Sequence, residues 1–187
     1  MRNGVGKNVK IDKAVEVLLY IISKGCNNMY NILKVIYFSD KNRIVNVAST
    51  MYKETYFAMN YGPVPSVAYD ILRDARGTNN PPVFGLQENP FVFDEEGSSM
   101  IYATREPNLN YLSEGDIQCL DKCIKMYGQM DYNTLKDISH RQSDYQWARE
   151  HSDGQKTVNI PLDIIVASVD PDGKIKEFLD SVYGDDA

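Results

Sequence analysis

The sequence is poor in the residues that build cross-links and metal sites. It has three cysteines and two histidines among 187 residues. An odd cysteine number argues against a disulfide framework and favours a reducing compartment, so we expect a cytoplasmic protein. Cys119 and Cys123 lie four residues apart but lack the second ligand pair of a structural zinc site. We therefore expect no metal and no cofactor, and interpret these thiols as small apolar side chains on one helix.

Long apolar runs and clustered basic residues are also missing. The longest apolar run, 17–22, is much shorter than the roughly 18 residues that span a membrane, and no signal-peptide core follows the N-terminus. We expect no membrane partner. The formal net charge is −6, and no block of lysine and arginine offsets it, so we expect no nucleic-acid partner.

Signatures of common enzyme classes are absent as well. The sequence contains neither the G-x-S-x-G motif of serine hydrolases nor the G-x-x-x-x-G-K phosphate loop. We therefore expect a protein that is not an enzyme. The enzymatic alternative is a hydrolase that uses Cys123 or His140, because the sequence does not show which side chains meet in space. A transcriptional regulator is a further alternative, which the missing basic recognition helix disfavours.

Apolar periodicity predicts a mainly α-helical (α+β) fold with central buried helices in a single domain. The first predicted helix is apolar around more than half of its circumference, which is typical of a central helix. Caps and breakers give the boundaries. The predicted helices are 13–24 after Asp12, 29–45 after Asn28, 66–76 after Pro65, 113–127 opening at Ser113, 131–139 capped by Asp131, and 175–182.

The segment 78–107 has a different character, with four prolines and two glycines. It predicts short strands at 83–86, 91–93 and 100–104, and the turn 94–97 joins the last two into an antiparallel β-hairpin. We expect this insert to hold all of the β structure. We favour an extended, loop-like segment at 54–61, where a strand or a helix is also possible, and a short helix within 160–169. We expect a flexible N-terminal end at 1–11, a main domain at 12–150, and a C-terminal extension at 151–187 that packs on it and ends in an acidic tail.

Aromatic residues gather around one turn. The chain has thirteen tyrosines, and a group of aromatic residues surrounds the sequence Gly62-Pro63-Val64-Pro65. Tyrosine combines a large apolar area with a polar tip, which suits a partner anchor, but it also suits the rim of a small core. The sequence leaves both interpretations open.

Three segments in order resemble one known family. They are Asn31-Ile32-Leu33-Lys34-Val35-Ile36-Tyr37-Phe38-Ser39-Asp40, then Tyr56-Phe57-Ala58-Met59-Asn60-Tyr61-Gly62-Pro63-Val64-Pro65, and then Leu112-Ser113 with Asp116, Tyr127-Gly128, Leu135, Ser139-His140 and Trp147. Together they resemble the Panacea domain of SocA-like type II antitoxins and GepA-type phage-associated proteins, over roughly residues 12–150. Met59 stands where the family usually has tryptophan, and Val35-Ile36-Tyr37 stands for Leu-Leu-Tyr.

The resemblance implies a mostly helical domain with a small β element and no assigned catalytic residues. It implies that the chain neutralises a co-encoded toxin by direct binding, and SocA-like members suggest delivery of the toxin to a ClpXP-type protease. From the motifs we expect partner binding at Tyr56, Phe57, Tyr61, Gly62, Pro63, Val64, His140 and Trp147. The alternative is that these residues support the fold, with Gly62 supplying a special backbone conformation and Trp147 filling the core.

Overall fold

A computed structural model describes residues 4–95 and 97–183. The helices are α1 (Gly4–Ser23), α2 (Met29–Val47), α3 (Ser66–Ala75), α4 (Glu114–Tyr127), α5 (Tyr132–His140), α6 (Ser143–Glu150), α7 (Leu162–Ala167) and α8 (Lys174–Tyr183), with a 3₁₀ turn at Leu109–Tyr111. The strands are β1 (Tyr56–Met59), β2 (Gly62–Pro65), β3 (Phe91–Phe93), β4 (Ile101–Ala103) and β5 (Val158–Ile160). The predicted mainly helical fold with a small antiparallel β element is confirmed.

Helix α2 is the centre of the molecule. It packs against α4, α5, α7 and β2, and α1 covers it from a further side. Its apolar stripe is fully buried, as expected. The same helix also buries charged side chains, namely Lys34, Asp40 and Lys41. A buried charge is costly unless polar groups surround it, so these three positions require partners inside the fold.

Three helix starts match their predicted caps. The side chain of Asn28 accepts a hydrogen bond from the backbone of Tyr30 at the start of α2. Ser113 and Asp116 form a reciprocal capping box at the start of α4, and Asp131 caps α5. Each cap satisfies backbone N–H groups that have no partner within the helix, which explains why these boundaries can be read locally.

The β structure is distributed differently from the prediction. The hairpin of β3 and β4 lies where expected, pairing Phe91 with Ala103. However, 83–86 forms no strand, and a three-stranded antiparallel sheet in the order β2-β1-β5 lies outside the insert. The expectation that 78–107 holds all β structure is therefore wrong. β5 pairs with β1 across about a hundred residues, a tertiary contact that local pattern does not show.

The remaining helices agree with the prediction to different degrees. α1 begins at Gly4, not at Lys13, and Asp12 sits within the helix, since early glycines cost only about 1 kcal/mol each. α6 occupies Ser143–Glu150, where no helix was predicted. The short helix predicted within 160–169 is confirmed as α7, which follows β5. The acidic pair Asp185–Asp186 lies outside the described residues. None of the described helices is long and apolar enough to cross a membrane.

Candidate functional site

The β1–β2 hairpin carries the Gly-Pro motif and forms the centre of the candidate site. Met59 pairs with Gly62, so Asn60 and Tyr61 form the two-residue loop. Gly62 has φ of +101°, in the region that residues with a Cβ rarely adopt. A Cβ at this position would also lie 2.6 Å from Ser139 Oγ and 3.1 Å from Lys34 Nζ. The hairpin therefore requires glycine for its conformation and for its close contact with α2 and α5.

Three side chains from the helices hold the backbone of this hairpin. The hydroxyl of Tyr145 donates to the carbonyl of Met59 at 2.9 Å. The hydroxyl of Tyr30 donates to the carbonyl of Tyr61 at 3.1 Å, and Lys34 Nζ donates to the carbonyl of Pro63 at 2.7 Å. We call Tyr30, Lys34 and Tyr145 the hairpin clamp. Because it binds alternate carbonyls, the clamp fixes the loop without restraining the ring of Tyr61.

Lys34 is the most unusual member of the clamp. Its side chain is 1% exposed, and its Nζ lies 4.8 Å from the ring centre of Tyr30. Within the described residues it forms no ion pair with a carboxylate. Burial disfavours the ammonium form and lowers the pKa of Lys34 to about 7. The amine can thus donate to Pro63 without carrying a full positive charge.

Beside the hairpin lies a groove of about 790 Å³ that contains three tyrosines. Tyr61 and Tyr132 are 60% and 42% exposed, and their ring centres lie 6.3 Å apart. The rings of Tyr30 and Tyr132 lie 4.8 Å apart. We call this the tyrosine groove. Its exposed rings offer apolar area with hydroxyl tips, the combination favoured in protein interfaces.

The other hairpin residues predicted for partner binding are mostly interior. Tyr56 is 1% exposed and donates to the buried carboxyl of Asp40 at 2.7 Å. Pro63 and Val64 are buried, and Phe57 is half-buried. Tyr56, Pro63 and Val64 are thus interior residues of the hairpin strands, and Tyr61 is the exposed residue of the loop. Direct contact with a partner stays a prediction, for which Tyr61 offers the exposed ring.

His140 and Trp147 belong to different surroundings. The ring of His140 stacks on Tyr145 at 4.7 Å, next to the hairpin clamp. Burial first, and then the nearby cations Lys136 and Lys34, lower the pKa of His140. Trp147 is half-buried against the core and stacks on His151 at 4.3 Å. The structure thus brings His140 to the site, whereas Trp147 lies on α6 away from the hairpin clamp, and a partner contact there stays a prediction.

The arrangement offers little for covalent chemistry. Burial raises the pKa of the Cys123 thiol to about 11, which disfavours the reactive thiolate. Lys34 and Ser139 both lie beneath Gly62, a pairing that resembles a serine–lysine site, and both side chains are buried. Within the described residues, no three His, Cys, Asp or Glu side chains are grouped to hold a metal ion.

A comparison with known families identifies the family of this chain. The family model described as "Antitoxin SocA-like, Panacea domain" matches residues 32–148, which is more than half of the chain. The chain belongs to this family. No curated protein and no solved structure matches it. The SocA-like Panacea family is a family of antitoxin-like domains, which favours a binding role over catalysis. The match includes the hairpin, Lys34, Ser139 and His140.

The sequence did not indicate several residues of the candidate site. They are the clamp residues, together with Tyr132 and Lys136 on α5. One signal was present for Lys34, because a lysine amid the apolar residues Ile32, Leu33, Val35 and Ile36 lies on a buried helix face. Tyr30, Tyr132 and Tyr145 carry no comparable local signal, since only the tertiary fold brings them to the hairpin.

Proposed function

We propose that this chain is an antitoxin that acts in the cytoplasm and neutralises a co-encoded toxin by forming a stoichiometric complex with it. Membership of the SocA-like Panacea family supports an antitoxin role. The proposed contact surface is the tyrosine groove, with Tyr61 as its anchor. The rigid hairpin supports this choice, because a side chain on ordered backbone loses less conformational entropy on binding.

The observation that carries the proposal is the exposure of Tyr61 on a fully restrained loop. Tyr30 donates a hydrogen bond to the carbonyl of Tyr61, and Tyr145 and Lys34 donate to the carbonyls on either side of the loop. Nevertheless, Tyr61 is 60% exposed. A folded domain gains nothing for its own core from a large exposed ring on so well-fixed a loop. Interface hot spots are enriched in tyrosine, which combines a large apolar area with a polar tip.

The experiment is a rescue assay with the product of the reading frame next to this gene. Co-expression with the wild-type chain should restore growth, and Tyr61→Ala should weaken the complex by about 2 kcal/mol, roughly thirtyfold. Tyr111→Ala is the matched control, since Tyr111 is also an exposed tyrosine (39%) but lines a different groove. Circular dichroism checks that both variants fold. Equal loss in both variants, or none in Tyr61→Ala, contradicts the assignment of the surface.

Stoichiometry separates this proposal from the hydrolase alternative. A binding protein is consumed by its toxin, so protection should require antitoxin at about the level of the toxin. Titrating the two proteins from separate inducible promoters, with quantitative immunoblots, measures this ratio. Protection by a small fraction of that amount, together with a chemical change in the toxin or its product, would show catalysis.

The fate of the complex distinguishes sequestration from proteolysis. The family resemblance suggests that the antitoxin presents its toxin to a ClpXP-type protease, and we include this in the proposal. The toxin half-life should then shorten when antitoxin is co-expressed, and the shortening should disappear in cells that lack ClpX. An unchanged half-life in both strains would restrict the function to sequestration.

A further inference from the structure

Helices α5 and α6 place three basic side chains on the face beside the tyrosine groove. Lys136 and His140 lie one turn apart on α5, and Arg149 lies one turn after Tyr145 on α6. The stacked rings of His140 and Tyr145 join the two helices at this point. We call Lys136, His140 and Arg149 the basic strip. All three residues are half-buried, so they are accessible but partly desolvated.

The basic strip has no carboxylate partners within the described residues. The Nζ of Lys136 lies 6.0 Å from the ring centres of both Tyr61 and Tyr132 and forms no hydrogen bond or ion pair there. Arg149 donates only to the carbonyl oxygens of Gln155 and Lys156. The Nε2 of His140 is buried and has no hydrogen-bond partner.

The surrounding charges do not compensate the strip. Burial and the nearby Lys136, Lys34 and Arg149 lower the pKa of His140, while Asp137 is the single opposing carboxylate among its strongest electrostatic neighbours. On α2, by contrast, Arg43 binds Asp116 and Lys41 binds Asp144. Lys136 and Arg149 therefore leave positive charge beside the tyrosines that an external anion would pair.

We propose that the basic strip binds an acidic segment of the toxin, while an apolar side chain of the same segment packs on Tyr61 and Tyr132. This inference rests on the proposed antitoxin function and names the chemistry of the partner. A carboxylate that meets Lys136 or Arg149 would gain charge-assisted hydrogen bonds, and the guanidinium can bind it in a bidentate manner. The adjacent rings exclude water and so strengthen these contacts.

A protein partner fits this surface better than a nucleic acid. The overall charge of −6 repels a phosphate backbone, whereas a single acidic segment meets only the local field of the strip. The strip also continues into an aromatic groove large enough for an apolar side chain. Complementary charge next to an apolar anchor is the usual arrangement of a specific protein interface.

The test measures the affinity of the product of the neighbouring reading frame by calorimetry. Lys136→Glu and Arg149→Glu should each weaken binding by about tenfold or more, and the wild-type affinity should fall as salt rises. Lys174→Glu is the control with the same change in charge. Lys174 lines a separate groove that contains Val45. Along the axis of α2, Val45 lies about 22 Å from Tyr30 of the tyrosine groove. The affinity of the Lys174→Glu variant should therefore match that of the wild type.

The outcomes separate this inference from the proposed function. No binding by the wild type overturns both. Binding that Lys136→Glu and Arg149→Glu leave unchanged or strengthen, or that Lys174→Glu weakens equally, overturns the inference alone. A short DNA duplex serves as a second probe, and binding that is lost in Lys136→Glu would assign the strip to nucleic acid and refute the acidic protein segment.

Discussion

Replacing Lys34 by methionine tests whether the buried amine is uncharged in the folded protein. Burial lowers the pKa of Lys34 from 10.5 to about 7. Between about pH 7 and 10.5 the unfolded chain therefore binds one more proton than the folded chain. The contribution of Lys34 to the free energy of unfolding must therefore rise with pH across this window. Methionine has a similar length and does not titrate, so the variant lacks this rise.

The size of the effect follows from the shift. Each pH unit in the window contributes up to about 1.4 kcal/mol, so the free energy of unfolding should gain about 2 kcal/mol between pH 7 and 9, relative to Lys34→Met. The variant also loses the hydrogen bond to the Pro63 carbonyl. A neutral amine donates this hydrogen bond as well, so losing the bond lowers the free energy of unfolding by a similar amount at every pH. The test therefore depends on the slope of the free energy of unfolding against pH.

Urea unfolding followed by circular dichroism at pH 7, 8 and 9 gives the required free energies. Lys53→Met is the matched control, because Lys53 is exposed and its ammonium stays hydrated when the chain folds. The free energy of unfolding of Lys53→Met should change with pH in the same way as that of the wild type. A constant difference between the wild type and Lys34→Met over the same range would show that Lys34 keeps its proton, and would refute the argument from burial.

Three further predictions concern the core and the hairpin. Burial raises the pKa of Asp40 to about 7, so between about pH 4 and 7 the folded chain binds one more proton than the unfolded chain. Relative to Asp40→Asn, the wild type should therefore lose up to about 1.4 kcal/mol of unfolding free energy per pH unit in this range. Urea unfolding measures this loss. Gly62→Ala should cost about 1–3 kcal/mol more than Gly25→Ala in thermal unfolding, since Gly25 shares the positive φ but has open space. Cys123→Ser should lower stability but leave toxin binding by calorimetry unchanged; a folded variant without function would favour the hydrolase.

Local signals in the sequence were sufficient for most helix boundaries. Asn28, Ser113 and Asp131 accept hydrogen bonds from backbone N–H groups two or three residues later, so the information lies within one turn. The β3–β4 hairpin is equally local, because a short turn sets its register. These elements could be predicted without knowledge of the rest of the chain.

The three-stranded sheet could not be predicted in the same way. β1 is short, and its outer partner β5 is far along the chain, where Tyr56 pairs with Ile160. β2 contains Pro63 and Pro65, which lack backbone donors and weaken any strand signal. Its pairing is stabilised by the tight turn and by helix side chains. Non-local contacts therefore decide this sheet, and the segment 54–61 remained ambiguous from sequence.

The candidate site was predicted in its central motif but not in its supports. The Gly-Pro motif pointed to this segment, but a loop-like stretch and not a hairpin was predicted there. Tyr61 is the exposed residue of the hairpin. Tyr56 was placed in the same surface because both tyrosines flank the motif. Strand alternation explains the error, because the ring of Tyr56 points to the core and reaches Asp40, while Tyr61 lies in the loop beyond the strand.

The buried polar groups of this fold serve the exposed surface. A carbonyl that faces the interior needs a donor, and Lys34 supplies one for Pro63 at the cost of burying an amine. An apolar residue in place of Lys34 would avoid that cost but leave the carbonyl unpaired and the loop less restrained. Holding the loop in one conformation lowers the entropy lost when Tyr61 meets a partner. Under the proposed function, the hydrogen bond from the buried Lys34 therefore serves to keep the hairpin rigid before the partner arrives.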